Sequence, residues 1–196
     1  MKIDHNRTIL DTTACATYTE LIITDSTKPY VIGTQIHHNS TADGILKVVL
    51  VDTIASGTGD WLFNATQTLQ YVLQESWATI PQEKRDSRET LQAVGDAYLD
   101  LWGNPDAPVP WGTPCRRLEG SSYTGKGLPT DSCNVGIPGG TQPPNTDRRY
   151  VIDETVGSVD VLCTFGTMRD APDSHELRLE GGKLRFVYTM TVMTAS

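Results

Sequence analysis

Three runs near the start of the chain are strand-like. Tyr18 to Thr24, Tyr30 to His38 and Ile45 to Ile54 are rich in Val, Ile, Thr and Tyr, and Asp25-Ser-Thr-Lys-Pro29 and Asn39-Ser-Thr-Ala-Asp-Gly44 separate them. Short links between consecutive strands predict an antiparallel meander over residues 18–54. The period then lengthens. Trp61, Leu62, Ala65, Leu69, Val72 and Leu73 keep the three-and-four spacing of one buried stripe, which predicts a helix over about 60–76 capped by Asp60. Frequent Thr and Tyr leave a strand ending at Trp77 as the competing reading. A second helix is predicted over about 86–102, with Asp86 and Glu89 as a capping box. Its stripe is Leu91, Val94, Tyr98, Leu101 and Trp102, and Gly103 and Pro105 supply the stop.

Residues 148–193 return to period two and predict a double hairpin. Tyr150, Ile152, Val159, Val161, Cys163 and Phe165 alternate around a Val156-Gly157 turn; Leu177, Leu179, Leu184, Phe186, Tyr188 and Met190 alternate around Gly181-Gly182. Counting outward from the second turn sets Glu180 opposite Lys183, Leu179 opposite Leu184, Leu177 opposite Phe186 and His175 opposite Tyr188. On the other face Arg178 lands opposite Arg185, and Asp153 opposite Asp160. Hairpins lying side by side would join these like-charged pairs into an ion-paired quartet on an outer face.

Between the helices and the hairpins, residues 103–147 hold most of the Pro and Gly and show neither period. A loop of this length in a compact domain is usually functional or covalently pinned. Cys115 and Cys133 lie within it, and a disulfide between them would stabilise by about 3 kcal/mol in the chain-entropy picture. Cys15 and Cys163 read either as buried thiols or as a second bridge. Zinc is not expected, because no Cys-x-x-Cys pair or neighbouring His accompanies the loop cysteines.

With 196 residues, 38% of them apolar, the chain is expected to fold as one domain over 1–196. No apolar run reaches the length of a membrane span, and a net charge of −8 offers no footprint for nucleic acid or an anionic membrane. Asn6, Asn39 and Asn64 each open an Asn-x-Thr or Asn-x-Ser/Thr-type acceptor site for glycosylation, which together with the even cysteine count favours a secreted protein. Met1 to His5 carry no apolar leader core, so this reading takes the chain as trimmed; a cytoplasmic protein is the alternative.

Motifs for nucleotide cofactors, serine hydrolysis and zinc proteolysis are absent from the sequence, and no cofactor or metal is expected. His37 and His38, adjacent on a strand, point to opposite faces and read as solvated. His175 is the strongest acid/base candidate, with Tyr188, Tyr150 and Glu154 as further catalytic candidates by alternation. The bland reading of His175 is a core histidine bonded to Tyr188. Trp102, Trp111, Phe186, Tyr123 and Glu119 are candidate substrate-binding residues. Arg117, Glu119, Tyr123 and Asp131 equally read as a clamp that satisfies the loop's own polar groups.

The blocks Cys115-Arg-Arg-Leu-Glu119-Gly, Arg149-Tyr-Val-Ile-Asp153-Glu154 and Pro172-Asp-Ser-His175-Glu-Leu-Arg178 resemble a largely uncharacterised family of mostly secreted fungal proteins defined by a domain of unknown function. That resemblance implies the Cys115–Cys133 disulfide and carries no established catalytic residue. Helices followed by a twisted sheet whose last hairpin carries Gly182-Lys-Leu-Arg185 also look like the nuclear-transport-factor-like cone fold, whose superfamily includes polyketide cyclases and scytalone dehydratase. The expected architecture is therefore α+β, a strongly curved antiparallel sheet packed against two main helices. The expected function is a cofactor-independent cyclase, isomerase or dehydratase acting on a hydrophobic small molecule, with homodimerisation open. A secreted, non-catalytic ligand-binding or host-interaction protein is the alternative.

Overall fold

The computed structural model describes residues 2–193. It is α+β, and its strands form two separate sheets instead of one curved sheet. Strands β1 (His5–Asp11), β2 (Ala16–Ile23), β3 (Tyr30–Ser40) and β4 (Leu46–Ser56) make an antiparallel meander in sequence order. The predicted meander is there, with β1 added at its edge.

After β4, helix α1 (Ala65–Val72) is shorter than the predicted 60–76, and Asn64 caps it by accepting from the Gln67 amide. Asp60 instead accepts from the amides of Gly57 and Met193, tying this corner to the end of the last strand. Helix α2 (Arg88–Asp100) starts at Ser87, whose hydroxyl accepts from the Thr90 amide, so the cap sits one residue beyond Asp86.

The second sheet has six strands: β5 (Trp111–Glu119), β6 (Ser122–Tyr123), β7 (Thr146–Asp153), β8 (Ser158–Phe165), β9 (Ala171–Glu180) and β10 (Lys183–Thr191), in the order β6-β5-β10-β9-β8-β7. Strand β5 lies inside the segment read as a loop. It runs parallel to β10, and Pro110, Pro114 and the Arg116-Arg117 pair hide it from any alternation test. Cys115 on β5 is disulfide-bonded to Cys133, as expected; Cys15 is exposed and free, and Cys163 is buried and free.

Two register shifts change which side chains meet. A bulge between Leu184 and Phe186 puts Phe186 opposite Arg178, Tyr188 opposite Glu176 and Thr189 opposite His175. At the bulge β10 lies close to β5: a Cβ at Gly112 would collide with the Leu184 carbonyl, and the Arg185 guanidinium donates to the Pro114 carbonyl. His175 and Tyr188 are therefore on opposite faces of the sheet, not cross-strand neighbours. In the β7–β8 hairpin the turn takes four residues, so Asp153 faces Ser158 and Val151 faces Asp160.

The ion quartet consequently does not form, and the face expected to be outer is buried. Asp153 accepts from the Leu10 and Thr155 amides, Asp160 from Gln35 and Ser174, and Arg178 pairs with Glu180 while donating to the Ala78 carbonyl. The four-stranded sheet covers this face. On the opposite face α2 packs Leu91, Val94, Tyr98 and Leu99 against Val159, Val161, Leu177 and Leu179. Gly95 lets the helix approach, since a Cβ there would already touch Val161 at 3.4 Å. The result is three layers with the six-stranded sheet in the middle. Much of β4 is left uncovered: Leu46, Val48, Val49, Leu50 and Val51 stand 44–61% exposed along a sheet edge.

Candidate functional site

Because both faces of the central sheet are buried, the predicted site residues fall into two groups. On the α2 side lie His175, Trp102, Trp111 and Glu119. His175 is 2% exposed and ringed by Tyr98, Trp102 and Phe165 at 5.6–5.9 Å between ring centres. Trp111 meets Tyr98 edge-on at 6.0 Å. Glu119 pairs with Arg117 at 2.9 Å. Burial, and the nearby Arg117 and Arg148 charges, lower the His175 pKa to about 3, so the ring is neutral at physiological pH. A neutral, sealed imidazole with that pKa is poorly matched to proton transfer near neutrality.

Tyr150 is on the same side but further along α2, where its hydroxyl donates to Asp96 at 2.6 Å beside the Arg148–Asp96 pair. Glu154 is in the exposed β7–β8 turn and accepts from the Arg88 amide at the start of α2. The four catalytic candidates therefore do not converge.

Tyr188, Phe186 and Tyr123 belong to the other face, between the sheets. Trp77 lies against Phe186 at 5.8 Å and Tyr188 at 5.2 Å, and Tyr123 stacks on Tyr71 at 4.5 Å. The hydroxyls of Tyr123 and Tyr188 each donate to Glu75, both at 2.6 Å. The Arg7 guanidinium sits 3.9 Å from the Trp77 ring and 4.7 Å from the Tyr188 ring, and bonds Glu176 at 2.6 Å. Its distance to Glu20 Oε2 is 3.2 Å, but that oxygen accepts no hydrogen bond.

Glu20 is the residue that sequence reasoning missed. It lies on β2, 2% exposed, and its carboxyl is raised to about 7. Burial is the main cause; Glu176 and Glu75 add to it, and Arg7 opposes it. A small cavity of about 20 Å³ abuts Glu20, Tyr18 and Tyr188, and its remaining wall includes Val31, Phe63, Leu118 and Met190. Tyr18 fits because Gly33 on β3, the partner of Glu20, leaves room for its ring: a Cβ there would stand 2.7 Å from the hydroxyl. The sequence did hold a faint signal, since Glu20 interrupts the apolar positions Tyr18 and Ile22 on the inward face of β2.

The three acceptor asparagines, Asn6, Asn39 and Asn64, are all exposed. Among the described residues no helix is long and apolar enough to cross a membrane; separately, the Cys115–Cys133 disulfide is compatible with a secreted protein.

The fold and these two buried clusters define a two-sheet α+β protein with ionisable groups on both sides of its central sheet. Residues 84–191 match the family described as Domain of unknown function (DUF8021), and the chain belongs to that family. The matched segment runs from just before α2 through β10, so it contains the His175 cluster but neither Arg7, Glu20 nor Glu75. No curated protein and no solved structure matches the chain.

Proposed function

We propose that the protein is an enzyme of the isomerase, dehydratase or cyclase type, using no redox cofactor and moving one proton on a hydrophobic small molecule. Glu20 is the acid/base, and Tyr18 and Tyr188 are the phenols beside it. The observation that carries this reading is a buried carboxyl, pushed up to about 7 by its burial, against a cavity walled by Val31, Phe63, Leu118, Met190 and two tyrosines, with the hydroxyls of Ser56, Thr68 and Thr189 as its remaining polar groups. A group half-ionised near neutrality can both take and return a proton. The role first expected of His175 thus passes to Glu20, and of the four original candidates only Tyr188 stays beside the proposed centre.

As it stands, the cavity has room for one water. Substrate entry in this reading requires outward movement of residues 57–64, which carry Phe63 on the cavity wall and are pinned by the Asp60 contacts to Gly57 and Met193. Secretion, glycosylation at the three asparagines and the cone-like resemblance of the six-stranded sheet and its helix complete the reading. In a homodimer, the uncovered β4 edge is where a second copy would pair.

The test uses uncharged β,γ-unsaturated ketones as probes, following double-bond migration and α-proton exchange into heavy water. Wild-type protein should show a rate that inflects near pH 7, and Glu20→Gln should lower it by roughly 10²–10⁴-fold. The groups facing Glu20 are Arg7, Glu176, Glu75, Tyr18 and Tyr188, and none of them should replace it. Equal rates in wild type and variant would overturn the proposal. Probe binding without exchange in either protein would favour the non-catalytic ligand-binding alternative.

A further inference from the structure

The polar cluster on the α2 face is not used by this reaction. We propose that Cys163, Asp173 and His175 hold one divalent transition-metal ion of the zinc class beneath α2. Cys163 faces Asp173 across the β8–β9 ladder, and His175 is two residues from Asp173 on the same strand, so all three side chains share one face. They offer one sulfur, one oxygen and one nitrogen donor within 4.8 Å of one another, all from buried residues. That donor set suits zinc.

The second observation is a pair of orphaned atoms. His175 Nδ1 and Asp173 Oδ2 are 3.2 Å apart, yet neither has a hydrogen-bond partner. Two ligands on one tetrahedral ion with bonds of about 2.0 Å stand roughly 3.3 Å apart, so the spacing fits a shared ion. The other Asp173 oxygen is already fixed: Oδ1 accepts from Thr191 Oγ1 at 3.0 Å and from the Ser174 amide at 3.1 Å. Those bonds orient the carboxyl and leave Oδ2 free, as second-shell contacts do in metal sites.

Charge also closes. A thiolate, a carboxylate and a neutral imidazole balance a dication, and the protons of Cys163 and Asp173 leave to solvent as the ion enters. The neighbouring Arg117 is paired with Glu119 and adds no net charge. An adjoining cavity of about 10 Å³, lined by His175, Asp173 and the unpartnered Tyr98 hydroxyl among others, would admit one water as a fourth ligand.

The experiment uses the full chain without a histidine tag, in a Cys15→Ser background so that Cys163 is the one free thiol. The chain is refolded with zinc or with cobalt, its disulfide re-formed, and metal content is measured after dialysis. The expected result is about one equivalent of zinc and, with cobalt, a thiolate-to-metal charge-transfer band. Cys163→Ala should abolish the band, and Asp173→Asn should weaken metal retention at least tenfold; circular dichroism checks that both fold. Glu20→Gln should keep the full equivalent, which separates this proposal from the reaction proposed above. Folded protein without bound metal, or an equivalent retained in Cys163→Ala, would overturn the proposal and leave a proton shared between Asp173 and His175. If both variants fail to fold, the cobalt band in the Cys15→Ser protein decides alone.

Discussion

On one face of β9, Leu177 and Leu179 are fully buried under α2; on the other, Ser174 and Glu176 are buried under the four-stranded sheet and Arg178 against residues 76–78. Towards its Glu180 end this strand thus serves an apolar interface on one face and a charged one on the other, whereas nearer its start Asp173 and His175 place polar groups on the α2 face as well. The difference follows from what each covering layer brings. Helix α2 presents Leu91, Val94 and Leu99, which offer a carboxylate nothing, whereas β1, β2 and β3 bring Arg7, Glu20 and Gln35 into reach of Glu176 and Asp160. A buried charge is tolerated only where the covering layer supplies an opposite charge or a donor.

The strongest way to break this contrast is to remove Arg7. Arg7→Ala leaves Glu20 and Glu176 facing each other without a cation, and loss of one partner from a buried ion pair costs about 3–5 kcal/mol. Urea denaturation measures it. A loss below about 1 kcal/mol would mean that the inter-sheet network is wetter than its burial indicates. On the other face, Leu177→Ala should cost about 2–5 kcal/mol through a cavity under α2, without changing how stability depends on pH.

The same contrast explains what could be read from the chain. Helix α2 was legible because it has one partner layer and hence one clean period, as in Leu91, Val94 and Tyr98, and the meander because runs rich in Val, Ile, Thr and Tyr are divided by turn clusters. The double hairpin over 148–193 was legible too, and β7 to β10 form it, but which face each side chain takes was not, since burial on both faces makes alternation a poor guide to facing. Tyr188 and Met190 face the first sheet, Val187 and Thr189 face α2, and only the bulge at Arg185 decides which is which. His175 read correctly as buried but acquired the wrong neighbour from that missed residue. Glu20 was overlooked because its importance comes from Arg7, Glu176 and Tyr188, which are brought to it by tertiary packing alone.

A smaller effect sharpens the comparison through pH. The Glu20 carboxyl is raised from an ordinary value near 4.5 to about 7, so between these values the folded chain holds a proton that the unfolded chain has lost. Its contribution to stability is present below pH 4.5 and is lost as pH rises towards 7, by up to about 3 kcal/mol for a single group of this shift. Glu20→Gln should therefore gain stability relative to wild type between pH 5 and 8, read as a widening gap in urea midpoints. A constant gap would show that Glu20 titrates normally and would remove the basis for its proposed role.

The least costly change is expected at the rim of the same interface. Arg149 on β7 meets Asp52 on β4 at 2.5 Å and so also joins the two sheets, but these side chains are 37% and 28% exposed, against 15% and 1% for Arg7 and Glu176. Water and salt screen the rim pair, and two side chains must be ordered to form it, so Asp52→Asn should cost less than about 1 kcal/mol and lose even that at high salt. The Arg7 pairs should keep most of their effect under the same salt, because little solvent reaches them. Equal salt sensitivity of Arg7→Ala and Asp52→Asn would contradict this ordering. Burial would then not set the strength of these ion pairs, and the argument that holds Glu20 near pH 7 would weaken with it.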